Sequence, residues 1–173
     1  MKNWMMSAVL LCCALAFASM AWGDEIPFTL TGQGLDASGT FYADPSGPGT
    51  WLVTDATGIF NGVNIVGIWP TSNNGNIFDF NNLFYSPGPA VDTQGIVFLL
   101  NNGNMVNLCY DTGCAGTAET YTAILFDYQT GNYTNFNADS AWFGNPVPEP
   151  STLMLLGSGL VGFAKLARRR IGS

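Results

Sequence analysis

The feature that most constrains this chain is a rhythm. Between residues 24 and 140, short runs of apolar residues and threonines are interrupted by turn-forming residues roughly every 8 to 12 positions, and none of the runs has helical spacing. Phe28 and Leu30 alternate with Thr29 and Thr31, so one side of that run is expected to face a core and the other water. Ile59-Phe60 leads into Asn61-Gly62, the dipeptide that best tolerates positive φ at both central positions of a type I′ hairpin. The return run, Val63 to Trp69, is nearly continuous in apolar residues, which predicts a central strand buried on both faces. Asn101-Asn102-Gly103-Asn104 separates another pair of runs, and 119–128 reads as the longest strand. Asp44 to Gly49, Asp55-Ala56-Thr57-Gly58 and Gln129-Thr130-Gly131-Asn132 read as turns. The expected fold is all-β: an antiparallel β-sandwich, jelly-roll-like, of about eight or nine strands.

The two ends have a different character. Lys2 followed by the uncharged stretch Met5 to Trp22 reads as a helical secretory signal peptide, residues 1–23, cut before Asp24. An exported β domain is expected over 24–140, a linker over 141–147 and a tail over 148–173. All five basic residues, Lys2, Lys165, Arg168, Arg169 and Arg170, lie in the two ends, and of the 12 acids only Glu149 does, so the stretch 24–147 has no Lys, Arg or His and a formal charge of −11. Such a domain is not expected to bind nucleic acid or phosphorylated ligands, which need cations. It has no Ser-His-Asp or Cys-His arrangement, no Schiff-base lysine and no histidine ligand. No enzyme activity, cofactor or metal is therefore expected. Cys109 and Cys114 are the thiols left once the signal is removed; in an exported chain such a pair reads as a disulfide, the alternative of a metal pair lacking two further ligands at zinc-like spacing.

In the tail, Pro148-Glu149-Pro150 precedes an apolar run and the cationic stop Arg168-Arg169-Arg170. As a helix, Thr152 to Ala167 would reach about 24 Å, a short span for a hydrocarbon core of about 30 Å, with the arginines on the cytoplasmic side. Gly157 to Gly162 spells GxGxxG, but a dinucleotide site needs an acid about 20 positions on, and none follows; these small residues suit close helix approach in lipid. The order of parts resembles the PEP-CTERM sorting signal of exported bacterial proteins, with Pro148, Glu149 and Pro150 matching residue by residue. The resemblance implies secretion machinery and an exosortase-type membrane enzyme as partners, transient anchoring in the inner membrane through the C-terminal helix, then delivery to the cell surface or beyond. Gly39-Thr40-Phe41, Gly58-Ile59-Phe60-Asn61-Gly62, Asn82-Leu83-Phe84-Tyr85 and Gly103 to Leu108 likewise resemble a recurring domain of exported PEP-CTERM proteins.

Within the β domain the candidate ligand residues are Trp69, Phe80 and Tyr85, aromatics on which a sugar ring could stack its apolar face; exopolysaccharide is the candidate partner for them. Asp79 with Asn81 and Asn82, or Asp36 with Asp44, offer oxygen ligands to calcium without the density of a defined calcium loop. Glycoside hydrolysis needs an acid in a pKa-raising environment, which turn-borne carboxylates lack. An ice-binding plane on Thr29, Thr31, Thr120 and Thr122 lacks a regular repeat. The expected function is that of an exported, non-enzymatic surface or extracellular-matrix protein, with a carbohydrate-binding module as the alternative.

Overall fold

Ten strands arise from these runs: β1 (Asp24–Gly32), β2 (Leu35–Gly47), β3 (Thr50–Phe60), β4 (Val63–Ile68), β5 (Leu83–Tyr85), β6 (Ile96–Leu100), β7 (Met105–Tyr110), β8 (Tyr121–Asp127), β9 (Asn132–Asn137) and β10 (Ser140–Phe143). The computed structural model describes residues 23–70, 77–114 and 118–146. The expected signal peptide, the Pro148-Glu149-Pro150 motif, the expected tail helix and Arg168 to Arg170 lie outside the described residues. Among the described residues no helix is long and apolar enough to cross a membrane.

All ten strands belong to one antiparallel sheet of order β10-β1-β2-β3-β4-β6-β7-β8-β9, with β5 paired to β3. Apart from β10 beside β1 and β5 beside β3, neighbours in the sheet follow one another in the chain, an up-and-down meander in place of the jelly-roll crossings. The sheet curls until its ends meet in one run of chain. β9 pairs with β8, Ala138 N–H still donates to Tyr121 O (2.9 Å), and one residue later Asp139 N–H donates to Thr31 O (2.8 Å), from where β10 pairs with β1. Ala141 to Phe143, which the sequence pattern assigns to a linker, thus belong to the last strand of the sheet.

The two layers of the expected sandwich are the opposed halves of this curl, and phenylalanines join them. Phe28 of β1 stacks on Phe41 of β2 at 4.3 Å between ring centroids, and both meet Phe98 of β6 at 6.5 Å. Phe60 of β3 meets Phe98 at 6.0 Å and Phe136 of β9 at 5.8 Å. Ile26, Phe28 and Leu30 are buried while Glu25, Thr29 and Thr31 are exposed, the alternation expected of a half-buried strand. Small closed sheets of about eight strands leave just enough room for side chains to fill the inside, and here aromatic rings fill it.

Four expectations change. The longest strand is β2, of 13 residues, and the stretch 119–128 yields the seven-residue β8. Asp55 to Gly58 is not a turn; it runs inside β3, with Gly58 opposite Gly39. A Cβ on Gly58 would run into the Ser38 carbonyl and one on Gly39 into the Thr57 carbonyl, with the Phe28 ring 3.0 Å away. These glycines permit close approach of two strands over a large ring, the other use of glycine in a strand. Asp44 to Gly47 likewise belongs to β2, where Pro45 sits beside a register shift, a position proline tolerates. The strand buried on both faces is not β4, whose Val66 is 56 % exposed at a register irregularity. It is the β6–β7 hairpin: Val97 and Phe98, and Met105 through Cys109, are all buried.

Candidate functional site

The two-sided burial of β6 and β7 has a cause outside the curl. Ahead of β5, residues 77 to 82 lie on the outer face of the sheet, where Phe80, Val97 and Met105 form a second buried cluster flanked by Trp69 and Phe78. The hinge of this outer layer is Asn82, buried and held at φ 55°, a left-handed conformation that asparagine adopts more readily than most residues. Its Nδ2 donates to Trp69 O (2.8 Å) and its Oδ1 accepts from Val97 N–H (2.9 Å), while its main chain bonds Gly95 and Val53. Every polar group of the residue is used to fasten the layer to the sheet.

Asp92 is the second fastening. Its Oδ1 accepts from the Gln94 and Gly95 N–H groups (3.0 and 2.9 Å), and its Oδ2 from Tyr85 Oη (2.9 Å) and Asn81 Nδ2 (2.6 Å). Burial pushes this carboxyl up, but the hydrogen bonds from Gly95, Asn81, Tyr85 and Gln94 outweigh it and hold the pKa below its ordinary value. Burial, then the bond to Asp92 and its charge, raise the Tyr85 phenol. A carboxylate with both oxygens doubly bonded and its ionised form favoured is suited to hold structure and unsuited to give up a proton.

Of the aromatics expected to bind a ligand, Phe80 is buried at 9 % exposure and Trp69 packs at the edge of the same outer cluster. Tyr85 lies elsewhere, on β5, its hydroxyl on Asp92. The structure therefore joins Trp69 with Phe80 and separates Tyr85 from both. Further aromatics extend that cluster toward solvent: Phe78 and Phe126, packed against it, and beyond them Tyr128 and Tyr133. Phe126 lies 4.9 Å from Tyr133 and 6.1 Å from Tyr128, and Phe78 lies 5.8 Å from Tyr133. Tyr128 is 65 % and Tyr133 53 % exposed. The available signal was the period-2 pattern of 121–136, which puts Phe126 and Tyr133 on the face away from the core; the register pairs them directly.

The oxygen-rich candidates are otherwise engaged. Asn81 and Asn82 spend their amides on Asp92, Trp69 and Val97, and Asp36 and Asp44 sit at opposite ends of β2. Among the described residues no three His, Cys, Asp or Glu side chains converge on a metal position. Cys109 and Cys114 are joined as a disulfide, their Cα atoms 5.8 Å apart, closing the turn at the end of β7.

Beyond β10 the last backbone bond of the sheet is Gly144 N–H to Pro27 O (2.7 Å). The fold thus defines a class, a curled antiparallel β domain whose final strand is followed by a terminal segment outside it. That segment is identified by its sequence: residues 146–170 match the family model of the PEP-CTERM protein-sorting motif. The chain carries the sorting signal of exported proteins, which exosortase-type machinery processes and directs toward the cell surface. Residues before 146 lie outside the match, and no curated protein and no solved structure matches the chain.

Proposed function

We propose that the chain is an exported, non-enzymatic surface or extracellular-matrix module, delivered through its signal peptide and released from the inner membrane by exosortase-type processing near Pro148-Glu149-Pro150. The observation that carries this reading is adjacency: the sorting motif begins at residue 146, two residues after the last backbone bond of the β domain. The cargo of the signal is therefore the β domain itself. Fractionating cells with the processing enzyme intact or deleted tests the route. A shortened, surface-delivered protein is expected only in the first; a full-length cytoplasmic protein in both would end the proposal.

A second reading is a carbohydrate-binding surface, favoured by the exposed rings of Tyr128 and Tyr133 beside the amides of Asn135 and Asn137 on the outer side of β9. Rings supply a stacking surface and amides the hydroxyl partners. Titration with neutral polysaccharides is expected to show binding that Tyr128→Ala with Tyr133→Ala abolishes. Binding that survives this pair but not Trp69→Ala would move the site to the sheltered cluster.

A further inference from the structure

We propose that Asn102 is a site of self-modification: its side-chain amide is converted to a carboxylate by attack of the Gly103 backbone nitrogen, while the same dipeptide at Asn61-Gly62 is protected by the fold. Asn-Gly occurs three times, at 61–62, 74–75 and 102–103, and the middle one lies outside the described residues. Glycine has no Cβ to shield its nitrogen, so Asn-Gly is the pair in which this reaction meets the least steric resistance. The other two pairs are both exposed, and a Cβ on Gly62 or Gly103 would meet nothing within 4 Å. Access therefore does not separate them; hydrogen bonding does.

Asn61 uses both ends of its amide to fasten the β3–β4 turn to the β1–β2 hairpin. Nδ2 donates to Gly34 O (2.8 Å) and Oδ1 accepts from Asp36 N–H (2.7 Å), while the main-chain N–H of Asn61 donates to Asp36 O (2.7 Å). Bringing Cγ onto the Gly62 nitrogen would break both side-chain bonds. Asn102 is held at one atom only. Its Oδ1 accepts from Asn104 N–H (3.1 Å), and its Nδ2 makes no hydrogen bond among the described residues. That bond turns the amide toward the following backbone, where the Gly103 nitrogen lies, and it sets a donor on the oxygen that gains negative charge when Cγ is attacked. What opposes the step is one turn bond, from Gly103 N–H to Leu100 O (3.0 Å).

The reaction balances with water alone. The Gly103 nitrogen gives its proton to solvent base and its lone pair forms a bond to Cγ of Asn102. The Cγ–Nδ2 bond breaks, and Nδ2 leaves as ammonia with a proton returned from solvent. Water then opens the cyclic imide at either carbonyl, giving aspartate or isoaspartate. In net terms water is taken up, ammonia is lost, and the β6–β7 turn gains a negative charge. Asn104 Oδ1 in the same turn accepts from Tyr128 N–H (3.2 Å), so the charge arises next to the backbone of an exposed ring. With age a domain that already lacks cations becomes more acidic still.

The test incubates the full chain, tail included, in neutral detergent and mildly alkaline buffer, with a second sample unfolded in urea. Residues 24–147 contain no Lys or Arg, so the peptides are made with chymotrypsin. It cuts after aromatic residues, and Phe60, Trp69, Phe78, Phe98 and Tyr110 bracket Asn61, Asn74 and Asn102 in separate fragments. Mass spectrometry reads the change from amide to acid in each. In the folded chain Asn102 is expected to convert at least about tenfold faster than Asn61. In urea the two are expected to convert at similar rates. An Asn61 that keeps pace with Asn102 in the folded chain, an Asn102 that stays an amide while the unfolded chain converts, or a difference that persists in urea would each overturn the proposal.

Discussion

The molecule has two apolar clusters, and they are built in opposite ways. The inner one lies within a single curled sheet, with Ala90 and Val91 of the β5–β6 connection added to it and rings drawn from β1, β2, β3, β6 and β9. The outer one lies on the back of β6 and β7 under a segment with little regular structure of its own, fastened at Asn82 and Asp92. In the first, regular pairing creates the enclosure. In the second, side-chain amides and one carboxylate do the work that a strand ladder would otherwise do. The comparison teaches that the inner cluster loses stability through packing, while the outer one can also lose it through protonation of Asp92.

The largest expected effect tests the inner cluster. Phe98→Ala removes a fully buried ring in contact with Phe28, Phe41 and Phe60 and is expected to cost about 3–5 kcal/mol in urea unfolding. Phe80→Ala in the outer cluster is expected to cost about 2 kcal/mol, because a site covered on one side can collapse. Equal losses would erase the distinction between the clusters. Reducing the disulfide, or Cys109→Ser with Cys114→Ser, is expected to cost about 2 kcal/mol for so short a loop, read as a shift in the urea midpoint.

Acid titration separates the two clusters further. The folded pKa of Asp92 lies below its ordinary value of 3.8, so its contribution to stability is present above 3.8 and is lost as pH falls through the lower folded value. In Asp92→Asn this part of the acid-dependent loss is expected to disappear, while Phe98→Ala keeps the wild-type slope; calorimetry across that acid range checks both. The smallest effect belongs to the open side of the outer layer: Tyr128→Ala, the most exposed ring there, is expected to change stability by no more than about 0.5 kcal/mol. A larger loss would make that ring part of the core and weaken its case as a contact surface.

The inner cluster was legible because period-2 alternation is a local signal. Phe28 and Leu30 announce their face by their neighbours, and Asn61-Gly62 announces its hairpin, with φ 48° and 81° as observed. The outer layer was not legible, because it depends on where a segment without periodicity comes to rest. Nothing adjacent to Asn82 tells that its amide bridges Trp69 and Val97, and nothing near Asp92 tells that four donors converge on it. The same limit explains Gly58: a glycine beside Asp55 and Thr57 reads as a turn until its partner Gly39 is known. The tail is the reverse case, readable from its order of residues alone.

The last strand also sets where the two ends of the β domain lie. β10 runs antiparallel to β1, with Phe143 opposite Phe28 and Gly144 N–H on the Pro27 carbonyl, so the first strand begins where the last one finishes. Hydrogen bonds between antiparallel strands stand perpendicular to the strands, and a pull between the two ends of the domain would therefore open this pair one bond after another.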